Sequence, residues 1–270
     1  MARRLFFLLV ASAVVFTSCG EKSETTLGKN RTQKPLVVGM ELTYPPFEMR
    51  GADNQPDGIS VHMAEDLAAS LGRPVEILDV EWDGIIPALQ SGKIDLIISS
   101  MTRTPEREKV IAFSDGYVTN GLCMLVAKDS PLKSVSDLVP GKHHVAVKLA
   151  TTGHQWARAE MPGLDLITLD NAAGCALEVV QGKVDAFIYD QISIYQFWKQ
   201  YQDKTRPILT PIREETWAIG LRQSDDELLG QVNVFLRDYR AAGKFNELAE
   251  RYMAAPKAAF EELGVPFIFH

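Results

Sequence analysis

The chain has 270 residues, of which 46% are hydrophobic and 23% charged, with 19 Gly and 14 Pro. These proportions exclude collagen, coiled coil and disorder; three cysteines are too few for a disulfide scaffold, and a net charge of −7 argues against a nucleic-acid backbone as partner. What remains is a protein that handles small molecules, with chain enough for one large domain or two lobes that each bury a core.

Met1 to Arg4 is a basic start, and Leu5 to Phe16 is an apolar run of signal-sequence length, too short to span a bilayer. Thr17 and Ser18 then precede Cys19, which resembles a bacterial lipobox with Phe16 where Leu is usual. Residues 1–18 are therefore expected to be a signal peptide, Cys19 a lipidation site and 19–34 a flexible polar tether. The alternative is an ordinary secretory signal with an incidental cysteine. Cleavage would remove Arg3 and Arg4 and take the charge from −7 to −9. The working body is expected to be periplasmic or extracytoplasmic, anchored to a membrane as a lipoprotein, with no later segment apolar enough to cross a bilayer.

From Leu36 onward, short β-rich runs alternate with helical patterns, the signature of an α/β sheet. Strands are predicted at 36–40, 75–80, 94–99, 122–127, 144–148, 166–169, 184–189 and 217–221. Helices are predicted at 60–71, 84–90, 105–110, 153–161, 172–180, 192–199, 225–242 and 245–252. One internal echo stands out: residues 89–98 (LQSGKIDLII) recur at 180–188 (VQGKVDAFI), each a helix end, a C-cap Gly, a turning Lys and a buried strand. Two similar lobes explain it. Ligands of open α/β sheets gather beyond the carboxyl ends of strands, which directs attention to Ser99–Thr102 in one lobe and to Tyr189-Asp190 in the other.

Thr104 and Pro105 suit a helix N-cap and first position, which puts Arg107 in a first turn. On its own Arg107 reads as an exposed side chain paired with a neighbouring Glu. It also suits an anion held there with Thr102 and backbone N–H groups. In the other half, 144–148 runs into Leu149-Ala150-Thr151-Thr152-Gly153, another small, hydroxyl-rich helix start, without a phosphate-loop or dinucleotide glycine pattern. Asp190 ends an apolar run, where a carboxylate is costly unless paired. One anion site and one isolated carboxylate suit a zwitterion, its carboxylate on Arg107 and its ammonium on Asp190. Tyr44, in a rigid Tyr-Pro-Pro-Phe corner, and Trp82 follow strand ends and can wall such a site, although single aromatics more often belong to a core.

At these residues the chain resembles the family 3 extracellular solute-binding proteins, the polar amino-acid receptors of bacterial ABC importers. The resemblance is carried by Val38-Gly39-Met40-Glu41-Leu42-Thr43-Tyr44-Pro45-Pro46-Phe47-Glu48, by Trp82-Asp83-Gly84-Ile85-Ile86-Pro87-Ala88-Leu89, and by the run from Gly92 through Thr102, Thr104, Glu106 and Arg107 to Phe113-Ser114-Asp115-Gly116-Tyr117. Ser60 and His62 stand where the family commonly has Asp after a Gly-aromatic pair; Ser60 is expected to cap the helix instead. The resemblance implies a periplasmic-binding-protein-like α/β fold of two lobes, 35–117 with 218–270 and 118–217. They would be joined by hinge strands near 117–121 and 213–217, with the ligand in the cleft between. It implies that Arg107, Thr102 and Thr152 take the ligand's α-carboxylate, that Asp190 and the Ser100 carbonyl take the ammonium, and that Tyr44 and Trp82 sandwich the side chain.

Glu41 alone would suggest arginine, lysine or ornithine as ligand. Lys148, at the place of a lysine in glutamine-binding members, adds a donor to that acceptor, so glutamine is favoured over the basic amino acids, an order that reverses if Lys148 points to solvent. The expected partners are a small L-amino acid, ABC permease subunits and a lipid anchor; the chain is expected to act as a monomer, without cofactor, metal or nucleic acid. Two rivals remain, a secreted cyclohexadienyl or arogenate dehydratase on the same fold and an amino-acid sensor receptor. No nucleophile–base pair or HExxH motif is visible. His143-His144 point apart on a strand, Cys123 and Cys175 are either bonded or two buried thiols, and Glu214-Glu215 read as a solvated face.

Overall fold

A computed structural model describes residues 34–262. The expected signal peptide, Cys19, the tether up to Gln33 and the last eight residues of the first lobe lie outside the described residues.

Six short strands and two long ones build a single eight-stranded sheet. In chain order the elements are β1 (Leu36–Met40), β2 (Thr43–Tyr44), β3 (Glu48–Arg50), β4 (Pro56–Asp57), α1 (Ile59–Ser70), β5 (Val75–Asp79), α2 (Ile85–Gln90), β6 (Leu96–Ile97), α3 (Pro105–Glu108), β7 (Ala112–Ala127), β8 (His144–Lys148), α4 (Thr152–Glu160), β9 (Asp165–Leu169), α5 (Ala172–Val180), β10 (Ala186–Asp190), α6 (Gln191–Gln200), β11 (Thr205–Leu221), α7 (Asp226–Ala241) and α8 (Lys244–Glu262). The sheet order is β5-β1-β6-β11-β7-β10-β8-β9. At one end β1 runs parallel to β5 and β6; at the other β8 runs parallel to β9 and β10. Each trio is a crossover unit in which helices cover apolar strands, the arrangement that βαβ alternation dictates.

The internal echo has a structural basis. α2 and α5 both end at a glycine in the left-handed region, Gly92 with φ 75° and Gly182 with φ 69°. The aspartate that follows then latches to the first strand of its own half. Asp95 donates its N–H to the Val37 carbonyl and accepts the Val37 N–H on Oδ2 (3.2 Å). Asp185 does the same with His144, its Oδ2 2.8 Å from the His144 nitrogen. Two copies of one chain segment thus set the register of two strand trios.

Between the trios lie β7 and β11, sixteen and seventeen residues long, paired antiparallel. The sequence pattern marked only their apolar ends at 122–127 and 217–221, because the middles carry Asp115, Gly116, Asn120, Gly121, Arg213 and Glu214. The lobe boundaries expected at 117/118 and 217/218 fall inside these strands, on the paired residues Val118 and Trp217. A small antiparallel sheet, β2-β3-β4, was not foreseen; the Tyr-Pro-Pro-Phe corner is the turn between its first two strands. α8 extends ten residues past the predicted end, bent at Met253 (φ −129°, ψ 18°) three residues before Pro256.

The largest buried apolar cluster draws residues from both strand trios, among them Val38, Leu96, Ala146 and Phe187. Trp217 is fully buried, with its ring 4.9 Å from Phe47 and 5.7 Å from Tyr44, both at edge-on angles. Cys123 and Cys175 are separate buried thiols, and burial raises Cys175 to about 12.

Candidate functional site

A cavity of about 430 Å³, including its mouth, opens where the strand ends of both trios meet the two long strands. Its wall includes Glu41 and Tyr44 after β1, Ser100 and Thr102 after β6, Thr152 at the start of α4 and Asp190 at the end of β10. Trp82 and Arg107 complete the residues that the sequence selected for it. Lys148 is the exception, since it is not part of the wall.

The backbone approaches this cavity under strain at two matching points. Ser100, just after β6, has φ 48°, and Ala150, just after β8, has φ 58°. Non-glycine residues pay to adopt the left-handed region, and such positions concentrate at functional sites. The second turn aims its carbonyl across the cleft. The Ala150 carbonyl accepts from Trp82 Nε1 (3.2 Å) and from Arg107 Nη2 (3.4 Å).

Arg107 is held from its own side as well. The Thr104 hydroxyl accepts its backbone N–H at 3.2 Å as the cap of α3, and Arg107 Nη1 donates to the Thr102 carbonyl at 2.7 Å. The side chain is buried rather than paired with a neighbouring Glu at the surface, and its guanidinium lies 5.2 Å from the Trp82 ring centre. Burial lowers its pKa to about 10, which leaves it charged at neutral pH.

Asp190 caps α6, its Oδ1 accepting the Ser193 N–H at 3.0 Å. Burial raises its carboxyl above the usual range. Next to it lie the Tyr44 hydroxyl and the Asn120 amide, both buried, whose hydrogen bonding to Asp190 offsets part of that rise.

Glu41 and Lys148 form a buried ion pair across the cleft, Nζ to Oε2. Burial raises the Glu41 carboxyl, and Lys148 opposes that rise. Lys148 is 2% exposed, so it neither points to solvent nor lines the cavity; it stands behind Glu41 with Nζ 5.7 Å from the Trp82 ring centre.

Two charged wall residues escaped the sequence analysis. Glu48, buried, accepts from Ser60 Oγ at 2.6 Å and from Ser100 Oγ at 3.1 Å, and burial lifts its pKa to about 8. Ser60 is therefore not the helix cap expected of it: Gly58 holds that position without a side-chain bond, because the Ser60 hydroxyl is spent on Glu48. Glu215 is not on a solvated face either. It is 5% exposed, and its Oε2 accepts from Thr102 Oγ1 and from Thr152 Oγ1, both at 2.9 Å. Strand alternation carried the signal: Glu215 lies two residues from the buried Trp217, so both face inward while Glu214 and Thr216 face out.

The family model for bacterial extracellular solute-binding proteins, family 3, covers residues 36–255. The chain belongs to this family. The L-cystine-binding protein TcyJ of Escherichia coli strain K12 is 30% identical over 234 residues, 86% of this chain and 87% of that protein. The arginine-binding extracellular protein ArtP of Bacillus subtilis is 30% identical over 261 residues, 94% of this chain and all of that protein. Among solved structures, the ancestral amino acid-binding protein AncCDT-1, titled a precursor of cyclohexadienyl dehydratase, superposes with a TM-score of 0.74 at 36% identity, covering 81% of this chain and 95% of that one. The fold is that of the periplasmic amino-acid-binding proteins. Members of family 3 bind small amino-acid ligands and work with ABC permeases. Among the described residues no helix is long and apolar enough to cross a membrane, and no three His, Cys, Asp or Glu side chains group as metal ligands.

Proposed function

We propose that this chain is the substrate-binding component of an ABC importer. It would take up a polar L-amino acid between residues 35–117 with 218–270 and residues 118–217, and present it to a permease on closure about β7 and β11. The observation that carries this reading is that one cavity is lined both by Arg107, held by the Thr102 carbonyl, and by Asp190 at a helix start. The guanidinium suits the α-carboxylate and Asp190 the ammonium, with the Ser100 carbonyl beside it. Tyr44 and Trp82 supply the apolar walls for the side chain.

Charge selects the side chain. Glu48 holds a proton at neutral pH, so the site sets Glu41, Asp190 and Glu215 against Arg107 and the nearby Lys148, an excess of about one negative charge. Such a cavity favours a ligand with a cationic side chain, arginine, lysine or ornithine, over the glutamine that the sequence favoured. ArtP, named for arginine, supports the same choice. Glutamine stands as a second reading because Glu41 and Lys148, once parted, offer an amide one acceptor and one donor.

The role is binding rather than turnover. Every buried carboxyl of the site is already committed: Glu41 to Lys148, Glu48 to two serines, Asp190 to a helix cap and Glu215 to two threonines. Glu48 holds a proton at neutral pH but is tied through Oε2 to both serine hydroxyls, and relatives named for binding cystine, arginine and glutamine favour binding over the dehydratase alternative. A sensor role would use the same pocket and differ only in the membrane partner. Cys19 is proposed as the lipid-bearing residue; metabolic labelling with a fatty acid should mark the wild-type chain and not the Cys19→Ala variant.

A thermal-shift panel tests the ligand. Protein unfolded and refolded to strip carried-over ligand is warmed with each standard amino acid, ornithine and cystine. A ligand at a thousandfold excess over Kd adds about 4 kcal/mol, a rise of roughly ten degrees. The expected result is a rise with basic amino acids; a rise with glutamine alone supports the second reading, and silence in folded protein rejects amino-acid binding.

A further inference from the structure

We propose that Glu215 is itself a ligand-site residue, a carboxylate of the chain that sits in the seat of the ligand's carboxylate and must leave it for an amino acid to bind. The inference rests on the reading of Arg107, Thr102 and Thr152 as the carboxylate site.

A hydroxyl has one hydrogen to donate. Thr102 and Thr152 both spend theirs on Glu215 Oε2, at 2.9 Å each. The same two hydroxyls are the ones assigned to the incoming carboxylate, and the Glu215 charge favours the charged form of Arg107 against the effect of burial. Two carboxylates cannot share those donors without strong repulsion, so the internal one has to move.

The structure provides a place for it to go. Glu215 Oε1 accepts from Arg213 Nη2 at 2.7 Å, and Arg213 is part-exposed. Glu215 and Thr102 also line a second cleft on the outer side of β11, together with Arg103, Gln155 and Arg213. Rotation of the Glu215 side chain toward that cleft keeps its ion pair with Arg213 and frees both threonines. β11 itself need not shift.

The same contacts make Glu215 a strap. Thr102 follows β6 in one half and Thr152 opens α4 in the other, so one oxygen ties the two halves at the floor of the cleft. Glu215 thereby lowers the affinity for any ligand with an α-carboxylate and holds the cleft closed before one arrives. It sets a threshold common to all amino acids and leaves side-chain preference to Glu41 and Trp82.

The test compares wild-type full-length protein with Glu215→Gln, which keeps the shape and loses the charge, and with Glu215→Ala. Titrations use L-arginine and L-glutamine, since both carry the carboxylate in question. The expected result is that Glu215→Gln tightens the binding of whichever of these binds, by about tenfold or more, and does not change their order. Unchanged or weaker binding in the folded variant overturns the proposal. Small-angle scattering of refolded protein without added ligand is the second arm and needs no ligand. The variants should be more open than wild type, and an identical profile in both overturns the strap. Arg107→Ala separates the two levels of the argument: undiminished binding in that variant rejects the carboxylate site itself. A large loss there beside an inert Glu215→Gln rejects only the competitor.

Discussion

Removing the guanidinium of Arg107 is the perturbation with the largest calculable effect on binding. Arg107 is 6% exposed and remains charged at neutral pH despite a pKa lowered to about 10. Its backbone contacts, 2.7 Å to the Thr102 carbonyl and 3.4 Å to that of Ala150, fix its orientation before a ligand arrives. A ligand carboxylate in this cavity has no solvent to turn to, so deleting its partner leaves a buried unpaired charge. That costs about 3–5 kcal/mol, which is about a hundredfold to several thousandfold in Kd. Arg107→Lys keeps the charge, loses the two-pronged geometry and should fall between. Isothermal titration at neutral pH reads the loss, with thermal unfolding of each variant in the absence of ligand as the check on folding. A folded Arg107→Ala protein that loses less than about tenfold in affinity refutes the assignment of this residue.

Three further outcomes follow from the same geometry. Asp190→Asn keeps a good cap for α6 but loses the charge, so it should weaken all amino acids alike; a titration series in which only some weaken would move the ammonium elsewhere. Lys148→Met leaves Glu41 buried without its cation, which should lower the melting temperature and raise the preference for arginine over glutamine. An unchanged ranking in the thermal-shift panel would place Glu41 away from the side-chain end. Burial raises the Glu48 carboxyl from 4.5 to about 8, so between those values the folded chain holds a proton that the unfolded chain has released. The stability from this group is therefore full below about pH 4.5 and falls as pH rises toward 8, by up to about 1.4 kcal/mol per unit. Glu48→Gln should flatten that slope in denaturant titrations across the window, and parallel slopes in variant and wild type would show that the carboxyl is ionised throughout.

The parts of this molecule that repeat or alternate are those the sequence displayed. The Gly-Lys-x-Asp echo located two strand trios because helix end, left-handed glycine and strand onset are local events with fixed residue needs. Arg107, Thr102, Thr152 and Asp190 were legible for the same reason, each standing at a strand-to-helix junction. The middles of β7 and β11 were not, because Asn120, Gly121 and Arg213 have poor strand propensity and are held extended by pairing with Glu215, Glu214 and Leu122 across the two strands. Lys148 illustrates a different limit. Its place after β8 was visible, but whether its ammonium faces ligand, water or Glu41 depends on a contact 107 residues away in sequence. Glu215 was misread because two adjacent glutamates suggest solvent, whereas alternation on a paired strand must send one of them inward. Glu48 was quoted within a motif without a role, its function being set by two serines that reach it from separate segments.

That one cleft reads both ends of a zwitterion is tested most directly by amputating the ligand rather than the protein. The amino acid that gives the largest thermal shift would be titrated beside its carboxamide, which lacks the negative end, and its deaminated acid, which lacks the positive end. Both analogues are predicted to bind about a hundredfold more weakly or worse, since each leaves Arg107 or Asp190 buried without its partner. An analogue that binds as tightly as the parent amino acid would contradict the claim and identify the end of the cleft that is not a charge site.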